Sequence, residues 1–255
     1  MARYDLSEAE WRLIEPLLPN KSRGVARVDD RRVINGIFYV LRTGSPWRDL
    51  PERYGPYTTV YNRYNRWAKA GVWLAIFETL AARSPQSMQM IDSSIIRAHQ
   101  HAAGRKKGGP DNAIGRSRGG LSTKIHAVVD QDGLPVRLLI SPGQASDMGA
   151  VPELLEGLPT PTNVIADRGY DSNAVLDLIS RSGAQASIPS CSRRMVKRSI
   201  DPAIYRQRNQ VERFFCRLKH FRRVATRFDK LARNFLAAVI LASTRLWLRA
   251  YESTA

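Results

Sequence analysis

Asp92, Asp167 and Glu212 stand where an acid needs a reason. Asp92 follows "MQMI" inside an apolar, β-branched run, and burying a carboxylate is costly unless it is paired or holds a metal. Asp167 repeats the arrangement, with "NVIA" leading into "DRGY" and Gly169 in the turn that follows. The ends of strands are where open α/β sheets place functional groups. Glu212 lies in "YRQRNQVERFFCRLK", among Arg206, Arg208, Arg213, Arg217 and Lys219. Three carboxylates suit two hard divalent cations, because oxygen ligands hold Mg²⁺ octahedrally and leave positions for water and phosphate oxygens. Such a pair promotes in-line attack at phosphorus, one ion at the attacking oxygen and the other at the leaving one. Taken singly, each aspartate also reads as a cap or turn residue. Glu212 also reads as half of a surface pair with Arg208, worth about 1 kcal/mol or less. His99, His101, His126 and His220 show no zinc spacing and no Ser/His/Asp order.

The rest of the chain favours a polyanionic partner. A net charge of +17 and a pI near 10.5 are spread over 255 residues rather than confined to a tail, as phosphate neutralisation requires. Cys191 and Cys216 have neither zinc nor disulfide-framework spacing and read as reduced thiols. The N-terminus has no apolar signal core, and "FLAAVILA" at 235–242 is too short to span a bilayer, so a soluble, cytoplasmic protein with no membrane partner is expected.

Two regions must position the acids. Residues 1–85 read as a helical DNA-binding domain. A Ser7-to-Glu10 capping box opens the first helix, Gly44 caps the second, and "SPWRDLPERYG" is a short helix and turn before a long helical pattern from Thr58. This is a helix-turn-helix-like layout. Val60, Tyr61, Tyr64 and Trp67 recur at helical spacing and read as core rather than base-stacking groups. The opposite face presents Thr58, Thr59, Asn62, Arg63, Asn65 and Arg66 to DNA.

Residues 86–255 change period. "MQMIDSSIIRA", "STKIHAVVD", "PVRLLIS", "NVIADRG" and "AQASIPS" read as strands, with "DQDG" as a hairpin and helices between the later strands, giving a mixed five-stranded α/β sheet. Asp130, Asp147 and Asp171 read as caps or turns, and "NFLAAVILASTRLWL" as a buried helix closing the core. The Gly-, Arg- and Lys-rich stretch at 99–120 and the stretch "CSRRMVKRSIDP" read as flexible basic loops suited to phosphate. In the last basic helix Val211, Phe214, Leu218 and Phe221 form the buried stripe, and Tyr205, Arg208, Glu212, Phe215 and Lys219 an adjacent one.

The acids in "IDSSIIRAHQHAAG" and "ADRGYDS", followed by Tyr205, Arg208, Glu212 and Lys219 at spacings of three, four and seven, resemble the bacterial insertion-sequence transposases of the DDE class, closest to the insertion sequence five family. The resemblance implies an RNase H-like catalytic domain with Asp92, Asp167 and Glu212 as the metal-binding triad. It implies two Mg²⁺ ions, which Mn²⁺ could replace, and double-stranded DNA as partner, at transposon ends and at the target. Tyr205, Arg208 and Lys219 are implied to contact the DNA end, with Arg213 and Arg217 beside them. A homodimer or higher assembly on DNA is expected, because two ends must be brought together. A repressor without cutting activity, a structure-specific nuclease and a basic scaffold are the rival readings. The repressor could lose an acid, the nuclease would not join strands, and the scaffold explains neither strand-end acid.

Overall fold

The computed structural model describes residues 4–19, 27–84, 87–103 and 112–254. It divides into two compact units, one of Met1–Leu80, His99–Lys107 and Leu218–Ala255, the other of Ala81–Ala98 and Gly108–Arg217. By compactness the C-terminal segment groups with the N-terminal helices. Residues 104–111 of the basic stretch at 99–120 lie outside the described residues, and 115–120 form a short strand and turn.

The first unit is helical. Helix α1 (Glu8–Ile14) starts with the expected capping box: the Glu10 amide donates to Ser7 Oγ at 3.1 Å, and the Ser7 amide to the Glu10 carboxylate at 2.8 Å. Helix α2 (Asp30–Thr43) is capped by Asp29 and ends at Gly44, whose φ of 77° suits a residue without Cβ. Two 3₁₀ turns, Trp47–Asp49 and Glu52–Tyr54, lead to α3 (Tyr57–Lys69). The long helical pattern does not continue unbroken: Gly71, at φ 72°, separates α3 from α4 (Val72–Ala81). The helix Ala232–Thr254 packs against α1, α2 and α3, burying Phe235, Val239 and Trp247, so it closes a core as its apolar pattern implies. Within that core Arg245 meets the buried Glu10 at 3.0 Å.

The second unit holds a mixed sheet. Strands β1 (Met88–Ala98), β3 (Gly120–Asp130) and β4 (Pro135–Pro142) are antiparallel neighbours, with β2 (Gly115–Ser117) a short addition to β3. Strand β5 (Asn163–Ala166) runs parallel to β1, and β6 (Gln185–Ser187) parallel to β5. The mixed sheet has seven strands rather than the five expected; five of them follow the order β4-β3-β1-β5-β6, and the short β2 also pairs with β3. The "DQDG" hairpin forms because Asp130 accepts from the Asp132 and Leu134 amides and Gly133 takes φ 72°. Helix α5 (Val151–Leu155) and helix α6 (Asn173–Arg181), capped by Ser172, cover one face through Val151, Leu154, Val175 and Ile179, which pack on Ile91, Val128 and Val164.

Helices α7 (Pro202–Arg206) and α8 (Asn209–Lys219) follow. The stripe of Val211, Phe214, Leu218 and Phe221 is buried as its spacing requires, and Phe215 joins it. A Cβ at Gly133 would come within 3.1 Å of Gln210 and Arg217, so α8 sits hard against the β3–β4 hairpin. Among the described residues no helix is long and apolar enough to cross a membrane.

Candidate active site

The sheet register brings two of the acids together. Ile91 of β1 pairs with Ala166 of β5 in a parallel ladder, so Asp92 and Asp167 are the next residues on adjacent strands. Asp92 Oδ1 accepts from its neighbour, the Ser93 amide, at 2.7 Å. Asp167 Oδ1 accepts from the Gly169 amide at 2.8 Å, capping a 3₁₀ turn, so its cap role and its strand-end placement coexist.

Glu212 reaches this pair through a cation. Arg208, one turn earlier, donates to Glu212 Oε1 at 2.6 Å and lies 3.7 Å from Asp92 Oδ2. Burial pushes the Asp92 carboxyl above its usual range; the Ser93 amide and Arg208 oppose this, and the negative charges of Asp167 and Glu212 add to it. All three acids therefore act on one electrostatic site within the second unit.

The donor chemistry fits a hard divalent cation: carboxylate oxygens, one of them desolvated, with no sulfur or imidazole partner among them. Among the described residues, however, no three acids, histidines or cysteines are gathered closely enough to hold one ion. Arg208 contacts both Asp92 and the exposed Glu212.

The basic residues separate into groups. Tyr205 lines a cavity of about 590 Å³ with Asp167, Arg168, Pro189, Ile200 and Pro202, which brings it to the strand-end acid. Arg213 and Lys219 are exposed on α8. Arg217 is not free for DNA: it donates to the Gly133 carbonyl at 2.5 Å, and burial lowers its pKa. Arg63 is corrected in the same way. Only 4% exposed, it pairs with Asp30 and stacks 5.0 Å over Trp67, whereas Asn62 and Arg66 stay exposed on α3.

The stretch 191–202 is likewise not a simple phosphate grip. Asp171, whose side chain is fully buried, accepts from Arg194 at 2.8 Å, from Arg198 at 2.6 Å and from the Cys191 amide at 2.6 Å. Burial alone would raise its pKa, but Arg194 and Arg198 hold the carboxyl well below the usual range. Two of the stretch's cations are thus committed to anchoring the segment that leads into α7.

A second polar cluster beside Asp92 escaped the sequence reading. Ser93 Oγ donates to Asp147 at 2.6 Å, and Lys124 reaches the same carboxylate at 3.0 Å. The Asp147 side chain does not cap the 3₁₀ turn it precedes, and no local spacing signals its link to residues 93 and 124. His126, fully buried nearby, lies 2.7 Å from Ser141 Oγ through Nε2.

Burial pushes the His126 pKa down to about 4, against the attraction of Asp147. Between about 6.5 and about 4 the unfolded chain takes up a proton that the folded one refuses, so this contribution is complete above that window and is lost as pH falls through it. The loss should total about 3 kcal/mol. Urea unfolding at pH 7 and pH 4.5 checks this: His126→Gln should flatten the difference, and an equal loss in both proteins would place the proton uptake elsewhere.

The mixed sheet thus sets Asp92, within β1, beside Asp167, just after β5. Residues 83–247 match the family model "Transposase DDE domain", and residues 6–77 match "Putative transposase of IS4/5 family". The chain belongs to the DDE-domain transposases of the insertion-sequence kind, a family of metal-dependent enzymes that process DNA. It is 40% identical over 130 residues, 51% of this chain and all of the relative, to the "Putative transposase for insertion sequence element IS6501" of Brucella ovis. It is 31% identical over 140 residues, 51% of this chain and 63% of the relative, to the protein named for element IS402 in Burkholderia cepacia. The solved piggyBac transposase synaptic complex with hairpin DNA shares the fold, with a TM-score of 0.52 at 11% identity over 96% of this chain and 72% of that one.

Proposed function

We propose that this chain is the transposase of an insertion sequence: it binds the terminal inverted repeats, cuts DNA at the element's ends and joins the released 3′-hydroxyls to target DNA. The observation that carries this reading is the meeting of Asp92 and Asp167 on adjacent parallel strands, with Glu212 tied to Asp92 through Arg208. Asp92, Asp167 and Glu212 would hold Mg²⁺, two ions in this reading, which supply activation of the attacking oxygen and stabilisation of the leaving one.

The chain's own residues do the rest. Arg208 balances Asp92 and Glu212 in the free protein; when a phosphodiester arrives, the guanidinium turns to its oxygens and releases Glu212 toward the two aspartates. Tyr205, at the cavity beside Asp167, orients the DNA end, while exposed Arg213 and Lys219 neutralise flanking phosphates. Water attacks in line at the element's end, and the freed 3′-hydroxyl then attacks target DNA by the same kind of displacement. Positioning and charge stabilisation carry both steps. Asn62 and Arg66 of α3 supply further DNA contacts from the N-terminal helices. Two protomers, at least, pair the two ends.

Labelled DNA carrying the inverted repeats that flank the gene tests the reading, with Mg²⁺ or with EDTA. Nicks at the repeat ends with Mg²⁺ alone, followed by joined products when target DNA is added, are expected. Binding without cutting would favour a repressor, and cutting without joining a nuclease. A single protomer on paired ends would remove the assembly from the proposal.

A further inference from the structure

Ser93 serves two acids at once. The parallel ladder between β1 and β5 ends at Ile91, and beyond it the Ser93 amide donates to Asp92 Oδ1 at 2.7 Å. Successive side chains of a strand point to opposite faces. Ser93 therefore shares the face of Ile91, which packs with Val151, Leu154 and Val175, whereas Asp92 points to the other face. On its own face the Ser93 hydroxyl donates to Asp147 Oδ1 at 2.6 Å. With Oδ1 of Asp92 held by the amide, Oδ2 is the oxygen that faces Arg208, at 3.7 Å.

Asp147 is itself held in place. Lys124, its side chain only 8% exposed, reaches the same carboxylate oxygen at 3.0 Å and donates also to the Ala145 carbonyl at 2.7 Å. His126 Nδ1 lies 3.7 Å from that oxygen. The Asp147 side chain makes no cap bond to the turn Met148–Ala150, so its carboxylate is directed to β1 and β3 rather than to its own neighbours. The pairing of Lys124 with Asp147 would serve the fold without Ser93. The hydroxyl adds a link whose other end is the peptide that holds Asp92, and a charged acceptor makes that link short and strong. Hydrogen-bonded partners of this kind orient a carboxylate that is to bind metal.

We infer that Asp147 is a positioning residue for Asp92: through the Ser93 hydroxyl it fixes the peptide whose amide holds the Asp92 carboxylate, so that Oδ2 is aimed before a divalent cation arrives. The inference rests on the reading of Asp92, Asp167 and Glu212 as metal ligands and deepens it. Asp147 acts from the opposite face of the sheet and touches neither the cation nor the DNA. A ligand whose orientation is set in advance does not have to be ordered when the cation binds.

Mn²⁺ binding tests this without a cutting step, followed by the electron paramagnetic resonance signal of free Mn²⁺ with the full chain on DNA whose element end is already cut. The same titration of Asp92→Asn gives the background from other sites. Ser93→Ala should weaken Mn²⁺ binding about tenfold, the scale for losing a partner behind a metal ligand, and leave Tm and DNA affinity close to wild type. Ser93→Thr, which keeps the hydroxyl, should bind as wild type does. Asp147→Ala should lose at least as much, and the double variant no more than Asp147→Ala alone, because both changes break one link. Asp147→Ala also strands the buried Lys124, so Ser93→Ala and Ser93→Thr decide the matter if that variant does not fold. Ser93→Ala binding Mn²⁺ as tightly as wild type would overturn the positioning role and leave the metal reading standing, as would a loss that only accompanies a fall in Tm. Wild type binding no more Mn²⁺ than Asp92→Asn would overturn both.

Discussion

Asp92→Asn, Asp167→Asn and Glu212→Gln are each expected to slow DNA cleavage by roughly a thousandfold or more while leaving affinity for the element's ends nearly unchanged. Each amide keeps the volume of the acid and removes the charge that a divalent cation needs, and metal assistance is worth several kcal/mol of barrier. The stability effects of two of these changes follow from the surroundings of the acid. Asp92 is desolvated and faces two other acids, so neutralising it relieves repulsion, and its amide should melt no lower than wild type. Glu212 is exposed, and its link to Arg208 is a surface pair, so Glu212→Gln should leave Tm close to wild type. Nicking assays, anisotropy and thermal melts on the same preparations separate these effects. Purified amide variants that still cut in the presence of Mg²⁺ would remove the residue concerned from the triad.

Asp171→Asn is expected to give the largest loss of stability among single changes in the second unit, about 3 kcal/mol or more. Its carboxylate, with no exposed surface, is met by Arg194, Arg198 and the Cys191 amide. The amide leaves two half-buried guanidinium groups without their counter-charge, which costs more than the pair contributes when intact. A second readout follows from position. The segment after Cys191 carries Met195, 98% exposed, and leads into α7 with Tyr205, the turn with Arg208 and α8 with Glu212. Limited trypsin digestion should therefore cut Asp171→Asn faster within 193–198 than wild type, and cleavage activity should fall together with stability. A variant as stable as wild type, with unchanged digestion, would mean that the two arginines find other partners.

Local periodicity and turn chemistry made much of the fold legible. The Ser7 box, the Gly44 cap, the "DQDG" hairpin and five strands appear where residue types alone put them, because each depends on neighbours within four residues. The break at Gly71 was missed because one glycine inside an otherwise helical pattern is tolerated, and only its positive φ reveals the turn. The exposed Tyr61 was missed because helical spacing marks a stripe without saying how far the covering elements extend along it.

By itself the sequence determined the supply of chemistry: three acids, two of them at the ends of apolar runs, a helix with a dry stripe beneath basic side chains, and an excess of positive charge suited to DNA. The tertiary structure decided which cation meets which acid. Arg208 joins Asp92 to Glu212, while Arg63 and Arg217 turn inward to Asp30 and the Gly133 carbonyl, and Arg194 and Arg198 are spent on Asp171. Ser93, Lys124 and Asp147 likewise meet only through packing. The reason is range: helices, strands and caps are set by residues a few positions apart, whereas pairing of charges depends on burial and on partners up to tens of residues away, which no local pattern carries.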